Sequence, residues 1–215
     1  MDYTNKSKEY YSNDRQEMLN YLPKDAKKIL DIGCSNGSFA TTVKEKNSAE
    51  VWGIEFMDQE AKKAEQTLDK VFSGPCEDFL DELPDDYFDV VYCNDVLEHL
   101  VDPYLVLKKI KKKLAKGGVV ISSIPNIRFH SVLIPLIFNK KFEYQNFGVM
   151  DKTHLRFFTK KSIRNMYENL GYEILIHEGI NRTGSIRPIL YNIPLLFLAN
   201  DIRYPQFATV AEIKK

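Results

Sequence analysis

The sequence predicts an α/β fold, a parallel sheet with helices on both faces. Two observations carry the prediction. Short apolar runs with β-branched or aromatic character alternate with helix-forming segments over more than half of the chain. The first of these runs ends in a polar, glycine-bearing turn, "LDIGCSNG", that leads straight into a helical pattern. A length of 215 residues suits one domain with a sizeable core.

The elements follow in order. Residues 1–25, with "KEYYSNDRQEML", read as an N-terminal helical arm. "KKILDI" is the first strand and "SFATTVKEKN" the helix after it. "EVWGIE" and "KVFS" are the next strands, separated by the helix formers of "QEAKKAEQTLD", and "FDVVYC" is the fourth. The helix in "DPYLVLKKIKKKLAKGG" is well punctuated: Asp102 suits its cap, Pro103 its first turn, and Gly117 with Gly118 its end. Leu107, Ile110 and Leu114 share its buried face, and its lysines form a solvated face that suits the helix C-terminus. "GGVVISSI" is the fifth strand. The alternation then breaks: residues 124–158 are aromatic, hold two prolines and show no period, so they are expected to leave the sheet as an insertion and return. "YEILIHEG" and "QFATVAEIK" are the last strands, separated by the irregular "NRTGSIRPILYNIPLLFLANDIRYP".

Thirty basic and thirty acidic residues cancel, so no bulk field draws in nucleic acid or an anionic membrane, although a local patch is still allowed. The N-terminus lacks the apolar core of a signal peptide, and the expected location is the cytoplasm. Cys34, Cys76 and Cys93 are odd in number and have no CxxC spacing, which suits reduced thiols acting as small fillers rather than zinc ligands. The apolar runs "SVLIPLIF" and "ILYNIPLLFLA" fall short of the roughly 20 residues of a membrane span.

The turn after the first strand lies at the carboxyl edge, where open α/β sheets bind ligands. Gly33 and Gly37 let a ligand approach the backbone. A pyrophosphate-binding GxGxxG is broken, because Ser35 and Ser38 hold its second and third glycine positions, and no P-loop lysine follows. Instead, Asp31 at the strand tip suits a cationic amino group, and Glu55, ending the second strand, suits both hydroxyls of a ribose. A nucleoside with a cationic amino-acid tail and no phosphate describes S-adenosylmethionine.

At these residues the sequence resembles the class I S-adenosylmethionine-dependent methyltransferases. "LDIGCSNG" is similar to their motif DxGxxxG, and Glu55, followed by Phe56, to their acidic residue after the second strand. The resemblance implies a Rossmann-like, seven-stranded, mostly parallel sheet in the order 3-2-1-4-5-7-6, its last strand antiparallel, within one domain over residues 1–215. With "QFATVAEIKK" as final strand the domain reads as complete. The resemblance also implies cofactor contacts from Cys34 in the first loop. Cys76 and Glu77, with Asp78 close behind, fall in "FSGPCEDF" at the adenine, where Pro75 stands in place of the usual acidic residue. Asn94, Asp95 and Val96 fall near the methionine end, and Tyr11 or Arg15 of the arm near its carboxylate. S-adenosylhomocysteine would be the product.

The acceptor comes from the same resemblance. "CNDVLEHL" lacks the NPPY-like sequence of base methylation, so nucleic acid is not the expected partner. "FGVMDKTHLRFFTKKSIRNMYENLGYEI" is similar to the ubiquinone-biosynthesis O-methyltransferases and to members of surface-polysaccharide pathways, which implies a small-molecule hydroxyl on a sugar, nucleotide sugar or phenol. His154 is the first candidate for general base, with His99 as alternative. A bland reading has His154 merely bonding the insertion to the sheet. Glu98 beside His99 raises a divalent metal, but two adjacent ligands are few for a hard cation, and no metal is expected. Asn126, Arg128 and His130 are expected to orient the acceptor. The apolar stretches around Pro135 and Pro194 suit an acceptor lid, a dimer contact, or a dock for a lipid-linked acceptor, and the chain is expected as monomer or homodimer. The rival to an enzyme is a silent S-adenosylmethionine-binding partner or regulator, which the same motifs would serve.

Overall fold

The computed structural model describes residues 15–214. Seven strands form one sheet: β1 (Lys28–Ile32), β2 (Glu50–Glu55), β3 (Lys70–Ser73), β4 (Phe88–Asn94), β5 (Leu114–Pro125), β6 (Tyr172–Ile180) and β7 (Gln206–Ile213). Their order is β3-β2-β1-β4-β5-β7-β6. β7 pairs antiparallel with β5 and β6, and the other neighbours pair parallel, as the resemblance implies. The connecting helices are α1 (Ser38–Asn47), α2 (Asp58–Ala64), α3 (Cys76–Phe79), α4 (Pro103–Lys113), α5 (His130–Asn139), α6 (Lys160–Asn169) and α7 (Arg187–Asn192).

The strands read as near-continuous apolar runs because both faces of the sheet are covered. The pleat sends Leu30, Val91 and Val120 into one core, against Leu107 and Ile110 of α4 and Met166 of α6. Ile29, Val90 and Ile121 enter the other, against Phe39 and Val43 of α1 and Met18 of the 3-10 turn Gln16–Tyr21.

Asp102 caps α4 as expected: its Oδ1 accepts from the Leu105 amide at 3.0 Å. Asp102→Ala is therefore expected to cost about 1 kcal/mol, read as a lower urea midpoint at unchanged slope. The far end differs from expectation. The helix stops at Lys113, and Leu114 already pairs with Phe88 as the first residue of β5. Gly117 and Gly118 belong to an irregularity in that pairing, where a Cβ on Gly118 would come within 2.6 Å of the Phe88 carbonyl oxygen. They shape a bulge rather than a helix end.

The insertion also differs. "HSVLIPLIFN" is helical as α5 despite Pro135 inside it. Residues 132–138 are apolar all round, so no polar face marks a helical period in the sequence. The segment rejoins the sheet through a bridge between Asn126 and Phe158.

Candidate active site

β1, β2 and β4 end side by side, and the loops that follow them open a cleft of about 1560 Å³. The first loop leaves β1 with Gly33 at φ 76°, its amide donating to the Ile54 carbonyl at 2.7 Å. A Cβ on Gly33 would stand 2.5 Å from Val96 Cγ2, so only glycine lets the first and fourth loops meet. Gly37, expected at the ligand, does not line the cleft. At φ 83° it leads into α1, and a Cβ there would press within 3.1 Å of Ala64 Cα, so its role is to close α1 against α2.

Glu55 is buried and held between two loops: Oε2 accepts from the Ser35 amide and Oε1 from the Met57 amide, both at 2.8 Å. Two amide donors fix its orientation before any ligand arrives. Asp31 lines the cleft, is buried, and has no hydrogen-bond partner among the described residues. Desolvation first, then the neighbouring Glu55, pushes its pKa up to about 8. Such a carboxylate is suited to a cation.

That shift carries a sign for stability. A folded pKa of about 8 against an ordinary 3.8 means the native state holds the proton more tightly, so Asp31's contribution is full at low pH and lost as pH rises through about 8. The thermal midpoint of the ligand-free protein is expected to fall from pH 6 to 8.5, and less steeply in Asp31→Asn. An identical slope in that variant would contradict the assignment.

Around the second and fourth strands the cleft is lined by Phe56, Cys76, Glu77, Asn94, Asp95 and Val96, all singled out in the sequence. Cys34 joins them from the first loop, and burial raises the thiols of Cys34, Cys76 and Cys93, which keeps them protonated fillers. Both amide atoms of Asn94 are buried with no partner among the described residues, a polar group left open at the cleft wall. Tyr11 lies outside the described residues. Arg15, its alternative, lines the cleft and forms an ion pair with Asp95, while its Nη1 donates to Gln206 Oε1 at 3.0 Å. Gln206 Nε2 in turn donates to Asp95 Oδ1 at 2.7 Å. Gln206 was not legible as a site residue, since it stands 111 positions from Asp95 and only the β5–β7 pairing brings it there.

Residues 153–156 are strapped onto the loop after β4. The amides of Leu155 and Arg156 donate to the Glu98 carbonyl at 2.9 and 3.0 Å, and His99 Nδ1 donates to the Thr153 carbonyl at 3.0 Å. This brings His154 against His99, ring centroids 4.7 Å apart, with His154 Nε2 4.0 Å from Glu98 Oε1. His154 Nδ1 faces the Val149 carbonyl at 3.1 Å. A carbonyl only accepts, so in both rings Nδ1 carries the proton and Nε2 is the basic nitrogen. Burial, followed by the charge of Asp95, raises Glu98 well above the usual carboxylate range. Ligand atoms of Glu98, His99 and His154 lie within 4.8 Å of one another, all three residues buried and all lining the cleft. The cluster can relay a proton, and it can also hold a divalent cation.

Three expected acceptor residues are not in the cleft wall. Asn126 is buried, donating to the Asp201 and Tyr204 carbonyls at 2.9 and 3.0 Å and accepting from the Arg128 amide. Arg128 turns away to Asp201, at 2.6 and 3.2 Å. His130 opens α5, but Phe129, Ser131 and Val132 line the cleft in its place. Asn126 and Arg128 tie the start of the insertion to the β6–β7 connection, while Pro125 and Phe129 line the cleft.

Residues 3–177 match the family described as a methyltransferase domain. The chain belongs to that family. This methyltransferase domain is 33% identical over 118 residues to the ubiquinone biosynthesis O-methyltransferase of Idiomarina loihiensis, covering 52% of the chain and 47% of that protein. It is 32% identical over 130 residues to the enzyme of the same description from Aliivibrio fischeri, covering 55% of each. The chain thus spans about half the length of the curated relatives it matches. A solved structure from Archaeoglobus fulgidus, described as a SAM-dependent methyltransferase, shares the fold with a TM-score of 0.67 at 23% identity, over 91% of this chain and 90% of that one.

The family's cofactor is S-adenosylmethionine, and the residues present fit it. An unpartnered buried Asp31, the fixed Glu55, the orphaned Asn94 amide and the bare backbone at Gly33 supply anionic, acceptor and donor groups and no phosphate cradle.

Proposed function

We propose that the methyltransferase domain transfers a methyl group from S-adenosylmethionine to a hydroxyl oxygen of a small molecule. The observation that supports it best is one cleft lined both by Asp31 and Glu55, suited to the cofactor, and by His154, whose Nε2 is basic. On this reading Asp31 faces the cofactor's ammonium, Glu55 accepts from its ribose, and Asn94, Asp95, Val96, Cys76 and Glu77 border it.

When bound, the cofactor supplies a methyl on sulfonium sulfur, and transfer breaks the S–CH₃ bond as the O–CH₃ bond forms. His154 Nε2 takes the hydroxyl proton, with His99 as second base, and the imidazolium that forms lies 4.0 Å from Glu98 Oε1, where its charge favours the ionised form of that carboxyl. Much of the acceleration comes from alignment, which the strapped loop and the fixed Glu55 pre-organise. The acceptor end is walled by Phe129, Val132, Pro135, Phe142, Phe147 and Met150. Such a wall suits an aromatic hydroxyl better than a nucleotide sugar, whose diphosphate would find Lys141 there and an Arg15 already committed to Asp95.

The test is incubation with methyl-labelled S-adenosylmethionine and panels of phenols, sugars and nucleotide sugars, followed by mass spectrometry. Labelled ether from a phenol supports the proposal. Tight cofactor binding with no transfer to any acceptor would favour a silent binding protein. Activity that survives a chelator supports the proton relay, and activity lost with chelator and restored by a divalent cation would reassign the three-residue cluster as a metal site.

A further inference from the structure

Helix α5, "HSVLIPLIFN", is strongly apolar, yet none of its ten residues is buried, and Phe138 is 73% exposed. The β6–β7 connection adds Ile189, Leu190 and Ile193, with Leu196 and Leu198 exposed at 81% and 87%. Leu196 and Phe197 both hold positive φ, 49° and 60°, a strained conformation for bulky residues in a turn that presents apolar side chains outward. The two segments adjoin. Arg128, just before α5, bonds Asp201 at 2.6 Å, and it lines a shallow hollow of about 380 Å³ together with Leu195, Leu196 and Leu198. Exposed apolar side chains gathered on one outer face of a domain mark an interaction site.

Charge identifies the occupant. On this face Arg128 is paired with Asp201 and Lys141 with Glu143, whereas Lys140, Arg182 and Arg187 are exposed and form no ion pair among the described residues. A second copy docked face to face by a two-fold axis would bring these three cations together, with the neighbouring carboxylates Asp201 and Glu143 already paired. An anionic bilayer offers apolar depth and opposite charge at once. No described helix is long and apolar enough to cross a membrane, so contact would be at the interface. Phe129, Val132 and Pro135 of the same helical segment also line the cleft, so its mouth opens beside this face.

We propose that α5 and the β6–β7 connection form a docking face for the surface of an anionic lipid membrane, apolar side chains seated among the headgroups and Lys140, Arg182 and Arg187 on their phosphates. This goes beyond the methyl-transfer reading and stands or falls separately from it, because lipid binding needs no turnover.

The test is flotation of the full chain with vesicles of phosphatidylcholine containing phosphatidylglycerol, against phosphatidylcholine alone. The chain is expected to float with the anionic vesicles, to lose that binding as salt rises, and to bind neutral ones about tenfold less. Leu196→Asp/Leu198→Asp is expected to lower anionic binding about tenfold or more at unchanged thermal midpoint and cofactor affinity. Lys140→Glu/Arg187→Glu is expected to remove the salt dependence. No flotation with anionic vesicles, or equal flotation of the leucine variant, would overturn the proposal. So would a dimer in sedimentation that the leucine variant dissociates while vesicles stay unbound, since that outcome assigns the face to a second copy.

Discussion

His154→Ala is expected to lower turnover about 10²- to 10⁴-fold while cofactor affinity stays at the wild-type value. The expectation rests on Nε2 being the basic nitrogen of a ring whose Nδ1 faces the Val149 carbonyl at 3.1 Å. It is separable from a structural role, because the loop is held by other bonds, the amides of Leu155 and Arg156 on the Glu98 carbonyl. The variant should therefore still bind the cofactor in a folded domain and lose the fall in rate toward low pH that a general base imposes, with His99 as the residual base. Unchanged turnover would remove the assignment.

Glu55→Ala is expected to weaken S-adenosylmethionine binding by about 1 to 3 kcal/mol, with Asp31→Ala in the same range. At Glu55 the loss has two parts. The ribose would lose its acceptor, and the amides of Ser35 and Met57 would lose theirs, loosening the two loops that border the cofactor. At Asp31 the loss is of charge alone, since no described residue bonds it, so Asp31→Asn should behave much like alanine whereas Glu55→Gln should recover part of the affinity. Titration calorimetry that returns wild-type affinity for both alanine variants would contradict the assignments.

The sheet was legible because it depends on local signals, short β-branched or aromatic apolar runs alternating with helix formers, and the glycine-bearing turn and the acids at strand tips pointed to the loops that line the cleft. Asp31, Gly33 and Glu55 could be named from spacing alone, and the strand order from the resemblance. What escaped depends on long-range approach. Gly37 looks like a ligand glycine, but its neighbour is Ala64 on another helix. Arg128 and Asn126 look like acceptor residues because polar side chains after a strand usually are, yet Asp201, more than seventy positions on, claims both. The meeting of Glu98 with His154 required the whole insertion to fold back, and no pattern within it announces that.

S-adenosylmethionine is expected to bind with its ammonium beside Asp31. Titration of the protein with S-adenosylmethionine at pH 7, repeated in buffers of different ionisation enthalpy, tests it most directly. An Asp31 raised to about 8 and met by a cation must shed its proton, so binding should release a proton in the wild type and none in Asp31→Asn. Binding without that proton release, or a thermal shift with NAD and none with S-adenosylmethionine, would contradict it.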